Sequence, residues 1–360
     1  MTDQAFVDGY AGVVCDLDGV VYRGDDAVDG APKALQDIVA RGVGLVYATN
    51  NASRVPADVA AQLAGLGAPG GADDIVTSAQ AGAERLASTL APGSAVLALG
   101  GPGVAEALER AGLQPVSPAA PGDPGEQDVP CEAVLQGFGR GLTVLDFERA
   151  ARLLRSDIPW VATNDDATLP LPWGDAPGNG AYVDLLASAV GRRPDVVGKP
   201  HAPLYHLATA RLGAEPSQVL AVGDRLDTDI AGARAARTDS AWVLTGVDRP
   251  SRLLDTDLSP TVVVRHLSEL LEPLALPRRT QDAWSCGASR VRLRDDDLEV
   301  LEAGSDDGDL LRAALAALVE RRDTDRENGR DTDHDNRRAA AGLAAAAARL
   351  DGLAAGHPLA

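Results

Sequence analysis

The stretch 13–22, VVCDLDGVVY, constrains this chain more than any other. Its apolar start reads as a buried parallel strand, where Val, Ile and Leu run on without alternating with polar residues. The run ends in two carboxylates two positions apart, Asp16 and Asp18, followed by Gly19. Open α/β sheets bind ligands at the carboxyl ends of their strands. Alternation along a strand starts both carboxylates on one side, and Gly19 lets the main chain turn sharply there. One carboxylate can attack phosphorus, and the other can shuttle protons. A pair of acids repels itself and any phosphate, so a cation is required, and Mg²⁺, a taker of oxygen ligands, fits. The bland alternative is a strand end whose Asp residues cap a turn.

Three later stretches bear on that choice. The strand 43–48 (VGLVYA) ends in Thr49-Asn50-Asn51-Ala52-Ser53-Arg54 before a helix from Pro56 to Leu66. Hydroxyl, amide and unpaired backbone N–H groups together make a phosphate site, although Thr, Ser and Asn are also ordinary helix caps. Val196-Val197-Gly198-Lys199-Pro200 ends a short strand with a lysine. A Lys there neutralises phosphate as a point charge, and the flanking Gly and Pro favour that role over a solvated surface Lys. Val219-Leu220-Ala221-Val222-Gly223-Asp224 is another buried strand ending in an acid, followed by Asp227 and Asp229. Asp224 completes a metal site with Asp16. Asp229 braces Lys199 or the metal shell, or is simply an acid favoured by a helix dipole.

These four stretches, in this order, resemble the haloacid dehalogenase superfamily: DLDGV at 16–20, TNN at 49–51, GK at 198–199 and GDRLDTD at 223–229. The strand–helix alternation between the Thr49 and Lys199 motifs resembles the inserted C2 cap of its type IIA branch. That branch includes NagD-like nucleotidases and 4-nitrophenyl, phosphoglycolate and pyridoxal phosphatases. The stretches 164–166 (NDD) and 177–181 (PGNGA) are similar to its cap segments. The resemblance covers about residues 11–265.

The resemblance implies an α/β protein: a Rossmann-like core with a parallel sheet, an inserted α/β cap of C2 type and a small C-terminal α+β extension. It divides the chain into core at 1–79 and 187–270, cap at 80–186 and extension at 271–360. It implies that Asp16 is the nucleophile and a Mg²⁺ ligand. Asp18 is then the proton donor and acceptor, with its main-chain carbonyl on the metal, and Asp224 is the third protein ligand. Thr49, Asn50, Lys199 and the Asp18 and Gly19 amides are implied to hold the phosphoryl group. Asp229 stands behind the metal site, and Asn164 and Asp166 face the substrate from the cap. In-line transfer demands this positioning and charge neutralisation.

Composition sets limits. With 33 basic against 53 acidic residues the net charge is −20, which argues against nucleic acid or an anionic membrane as partner. Three scattered cysteines, Cys15, Cys131 and Cys286, give no disulfide framework or zinc spacing. Residues 1–10 have neither a basic start nor an apolar segment. No apolar run reaches spanning length. A cytoplasmic enzyme for a small phosphate ester is the expectation, with a homodimer as its assembly.

The segment 169–183 (LPLPWGDAPGNGAYV) reads as a substrate-facing loop before a helix at 184–190, and Pro115–Pro130 as another loop. In the tail, 273–280 reads as a linker, 289–293 and 298–301 as a hairpin, and 309–321 as an amphipathic helix. The charged run 323–336 reads as disordered, and the Ala-rich 339–353 as helical. This layout resembles actinobacterial glycerol 3-phosphate phosphatases, which carry an acetyltransferase-like remnant. No coenzyme A loop is present, so acetyl transfer is not expected. Glycerol 3-phosphate is the leading substrate. Phosphoglycolate, pyridoxal phosphate and nucleotides are the enzyme alternatives, and an interaction module with a vestigial phosphatase site is the alternative of another class.

Overall fold

The computed structural model describes residues 4–118, 130–171, 173–294, 297–327, 346 and 348–355. The chain divides into two compact units, Met1–Gly44 with Leu220–Arg234 and Thr238–Ala360, and Leu45–Val219 with Ala235–Arg237.

In the first unit, neighbouring strands run in the order Val262–Val264, Asp239–Val243, Val219–Gly223, Gly12–Cys15. The first two contacts are parallel. The strands at 12–15, 219–223 and 262–264 are buried throughout, as strands covered on both faces must be. The tail adds an antiparallel sheet of Arg278–Thr280, Ala283–Cys286, Ser289–Arg294 and Asp297–Glu302, and the helix Asp307–Glu327. Leu311, Leu315 and Leu318 of that helix share one core with Trp242, Leu253 and Val263.

In the second unit, Gly44–Thr49 pairs in parallel with Ile75–Thr77. A separate five-stranded sheet has the order Asp195–Val196, Trp160–Ala162, Ala133–Gln136, Ala95–Leu99, Gln114–Val116. All its pairings are parallel. Helices Ser78–Ala87, Pro102–Arg110, Val144–Leu153 and Asn179–Val190 belong to the same unit. Val134, Phe147, Trp160 and Val183 meet in its core.

The structure revises several sequence expectations. The segment 169–183 is not a loop. Thr168–Leu171 and Gly174–Pro177 form an antiparallel ribbon, and the helix after it begins at Asn179 rather than 184. A two-stranded ribbon is all edge, so the prolines that argue against a central strand are tolerated. Arg278–Thr280, read as linker, is a strand, and Pro115 lies in an edge strand opposite Val96. The charged run from Asp323 is helical as far as Glu327. Arg321 pairs with Asp325 at 2.8 Å, and the buried Arg322 donates to the Leu253 carbonyl at 2.6 Å. Long-range anchoring thus orders a segment whose composition alone predicts disorder. Residues 119–129 of the expected loop, 328–336 of the charged run and 339–345 of the Ala-rich stretch lie outside the described residues.

Candidate active site

In the first unit the Gly12–Cys15 strand delivers Asp16, whose amide donates to the Val222 carbonyl at 2.8 Å. The main chain then reverses through Gly19 at φ +83°, a left-handed conformation that suits glycine. The sequence assigns the Gly19 amide to the phosphoryl group. In the structure that N–H donates to the Tyr22 carbonyl at 2.8 Å, closing the turn, and what Gly19 contributes is room. A Cβ there would lie 2.5 Å from Asp224 Oδ2.

Asp224 stands at the end of the strand Val219–Gly223 and is 2% exposed. Its Oδ2 accepts from the Val247 amide at 2.8 Å, and its carbonyl accepts from Trp242 Nε1 at 2.9 Å. Gly246 packs so closely that a Cβ would fall 1.7 Å from Asp224 Oδ2. Asp229 comes from a π-helical turn, Leu226–Ile230, where one extra residue re-aims the side chains. It is buried, and its Oδ2 accepts from the Arg225 amide at 3.2 Å. The sequence puts Asp229 behind the metal site. The structure puts its carboxylate beside the others, since Asp16, Asp224 and Asp229 each offer a ligand atom within 4.8 Å of the rest.

Three carboxylates this close repel one another by roughly 3 kcal/mol per pair at an effective dielectric of about 20. An all-oxygen set of this kind, with two of its three carboxylates buried, fits a hard divalent cation such as Mg²⁺ or Ca²⁺. Asp18 is exposed and stands outside that cluster.

The second unit assembles another set. Thr49 ends the strand Gly44–Thr49, is buried, and accepts the Asn51 amide on Oγ1 at 3.1 Å. Asn50 is the hub. Its Oδ1 accepts the Lys199 amide at 2.8 Å, and its Nδ2 donates to the Lys199 carbonyl at 3.0 Å. The same Nδ2 reaches Asp166 Oδ2 at 3.2 Å. The Asn50 carbonyl accepts from Asn164 Nδ2 and Ser78 Oγ, both at 2.8 Å. Asn50, which the resemblance assigns to the phosphoryl group, therefore has its side-chain amide engaged with Lys199 and Asp166. Lys199 is 3% exposed, a rare state for a lysine.

Sequence reasoning missed Gly246, the Val247 amide, Thr245 and Ser78. Thr245 Oγ1 donates to the Gly19 carbonyl at 2.7 Å. Asn179 Nδ2 holds the Asn164 carbonyl at 2.6 Å. Asn179 lies in the 177–181 stretch that the sequence singles out as similar to cap segments. The four missed groups carry no signal that short motifs reveal.

Two family models match the chain, haloacid dehalogenase-like hydrolase over residues 13–114 and HAD-hydrolase-like over 196–270. D-glycerol 3-phosphate phosphatase of Mycobacterium tuberculosis is 37% identical over 319 residues, 87% of each chain. The chain belongs to the haloacid dehalogenase-like hydrolases.

Two solved members of this family of hydrolases align along much of the chain. The crystal structure of the M. tuberculosis glycerol phosphate phosphatase in complex with magnesium has a TM-score of 0.74 at 33% identity, covering 88% of this chain and 92% of that one. A p-nitrophenyl phosphatase from Archaeoglobus fulgidus has a TM-score of 0.66 at 28% identity, covering 73% and 98%. In this chain an Asp-x-Asp comes directly after the strand Gly12–Cys15. Among the described residues no helix is long and apolar enough to cross a membrane.

Proposed function

We propose that this chain, a phosphoric monoester hydrolase, is magnesium-dependent, works through an aspartyl-phosphate and acts on glycerol 3-phosphate. The observation that carries the reading is the cluster of the half-buried Asp16 and the buried Asp224 and Asp229, two at strand ends and one from a π-helical turn.

Asp16 attacks phosphorus in line with the ester oxygen. The ester P–O bond breaks as the Asp18 carboxylic acid gives its proton to the leaving alkoxide, and an aspartyl-phosphate remains. Asp18, now a carboxylate, takes a proton from water as that water's oxygen attacks phosphorus. The bond to Asp16 breaks and phosphate leaves. The exposure of Asp18 suits a group that exchanges protons with water. Asp16, Asp224 and the Asp18 carbonyl hold Mg²⁺ in this reading, with Asp229 beside them. The metal, when bound, supplies the positive charge that a site rich in carboxylates lacks.

Lys199 and Thr49 serve the equatorial phosphoryl oxygens. Asn50 serves them through Lys199, and Asn164 and Asp166 choose the alcohol. The division into core, cap and extension belongs to the same reading, as do the cytoplasmic setting and the homodimer. Support for glycerol 3-phosphate comes from extent. The relative named for that ester aligns over a share of this chain that cannot be reached without entering the C-terminal extension. The p-nitrophenyl phosphatase alignment stops at 73%.

Phosphate release from glycerol 3-phosphate, with and without Mg²⁺ and with Asp16→Asn as control, tests the reading. The expected result is metal-dependent release that vanishes in the variant, with a higher kcat/KM than for phosphoglycolate, pyridoxal phosphate or nucleotides. Equal release without the metal, or from the variant, overturns the mechanism. A higher kcat/KM for another ester overturns the substrate.

A further inference from the structure

Asp229 joins the acidic cluster from a turn that is held partly from outside. Leu226–Ile230 winds as a π-helical turn, a rare form with one residue more than an α-helical turn. The first N–H of such a turn has no partner within it. That N–H, on Leu226, donates to Asp248 Oδ2 at 2.7 Å, 22 positions further along the chain. Leu226 is 2% exposed, so water is a poor substitute for that acceptor, and a buried donor left unpaired is costly. An amide bonded to a carboxylate is also a stronger pairing than one between neutral groups. Asp229 has little room to settle elsewhere. Its side chain lies on Gly223, where a Cβ would stand 2.2 Å from Asp229 Cγ. The start of the turn therefore decides whether its carboxylate meets Asp16 and Asp224.

Asp248 is placed in turn by its neighbours in the chain. The amide before it, Val247 N–H, donates to Asp224 Oδ2 at 2.8 Å. Two consecutive residues thus hold two different acids of the cluster. Arg252 Nε stands 3.9 Å from Asp248 Oδ1. The short helix Pro250–Asp255 follows at once, and it is seated on the tail. Ser251 donates its amide and its hydroxyl to Asp351 Oδ1 and Oδ2, at 2.9 and 2.8 Å. The Leu253 carbonyl accepts from Arg322 Nη1 at 2.6 Å, and Leu253 shares a core with Leu311, Leu350 and Leu353. Bonded and packed groups therefore run without a break from the tail to the acidic cluster, all within the first unit.

We propose that Asp248 is a positioning residue for the metal site, fixing the π-helical turn so that Asp229 joins Asp16 and Asp224, and that the tail supports the same site by holding Ser251 on Asp351. This rests on the reading of the three acids as a magnesium site. It gives the tail a part in metal affinity that needs no ligand of its own. Groups that orient metal ligands from outside typically carry about 10- to 100-fold in affinity.

Calorimetric titration of the full-length protein with Mg²⁺ alone tests this without relying on catalysis. Asp248→Ala is expected to raise the Kd for Mg²⁺ about tenfold. Asp248→Asn removes the same negative charge but keeps an acceptor oxygen for the Leu226 amide, and is expected to stay within about threefold of wild type. The pair separates the hydrogen bond from simple loss of charge near a cation. Asp351→Ala, in the tail, is expected to raise the Kd at least about threefold. Asp297→Ala, which breaks only an exposed ion pair between the tail hairpin and Arg349, is the control and should leave it unchanged. An unchanged Kd in Asp248→Ala, or equal weakening in Asp248→Ala and Asp248→Asn, overturns the positioning role. An unchanged Kd in Asp351→Ala overturns the part given to the tail. Asp16→Asn is titrated alongside: Mg²⁺ uptake absent from wild type, or undiminished in Asp16→Asn, defeats the magnesium-site reading itself.

Discussion

Asn50 holds the main chain of Lys199 from both sides, accepting its amide at 2.8 Å and donating to its carbonyl at 3.0 Å. The pairing copies a backbone ladder with a side-chain amide, and it fixes where a buried ammonium emerges. Asn50→Asp keeps the acceptor but removes the donor and sets a second negative charge beside Asp166. We expect kcat/KM to fall about 100-fold, the size of one or two lost hydrogen bonds in a buried network. Steady-state kinetics check this, and a change of less than about twofold would show that Lys199 is held in place by other means.

Gly246→Ala pushes a methyl group onto Asp224 Oδ2, where a Cβ would stand 1.7 Å away. The carboxylate must move and the metal site with it. The midpoint for Mg²⁺ activation is expected to rise about tenfold or more, in line with losses on disturbing the surroundings of metal ligands. Gly65→Ala, where a Cβ meets nothing within 4 Å, is the control. Equal Mg²⁺ midpoints in the two variants refute the crowding argument.

Asp18→Asn keeps the shape of the side chain but cannot shuttle a proton. A loss of about 100- to 10,000-fold in kcat is expected. With a phenol-like leaving group, which needs no proton, the first step should survive and the aspartyl-phosphate should accumulate. Rapid-quench trapping of acid-stable or hydroxylamine-reactive phosphate on the protein is the measurement. A variant as active as wild type on glycerol 3-phosphate removes Asp18 from the mechanism.

Arg312 is nearly sequestered from water and meets Asp309 at 2.8 Å and Glu269 at 3.2 Å. It ties the tail helix to the rest of the first unit. Arg312→Met leaves Asp309 without its cation and Glu269 with Arg265 alone, which costs about 3–5 kcal/mol. A lower Tm by calorimetry is expected, with the tail released first. An unchanged Tm would mean that the apolar contacts of Leu311, Leu315 and Leu318 suffice.

Burial pushes the Cys286 thiol from its ordinary 9.0 up to about 11, against the opposing influence of Arg312. A raised folded-state value means that the native protein holds this proton more tightly than the unfolded chain. The associated stability is complete below about pH 9 and is lost as pH rises through about 11. Denaturant midpoints measured across that window should fall more steeply in wild type than in Cys286→Ala. Parallel curves would assign the alkaline loss to other groups.

The strand ends were legible because their causes are local. Apolar runs such as Val13–Val14–Cys15 and Val219–Val222 must be buried, and the first residues past a buried strand of an open sheet stand at its mouth. Asp16, Asp224 and Thr49 were placed at strand ends this way, from residues next to them in the chain. The hairpin at 289–302 was legible for the same reason, as its alternation is read within a few residues.

Tertiary structure decided what those residues touch. The sequence could not show that the amide of Asn50 closes on Lys199, 149 positions away, that Gly246 makes the floor under Asp224, or that a π-helical turn brings Asp229 in beside Asp16. Nor could it show that Arg322 orders a charged run by reaching the Leu253 carbonyl. Hydrophobic period and turn chemistry act over a handful of residues. The partner of a buried polar group is set by whichever distant segment packing brings within about 3 Å, and only the folded chain contains that information.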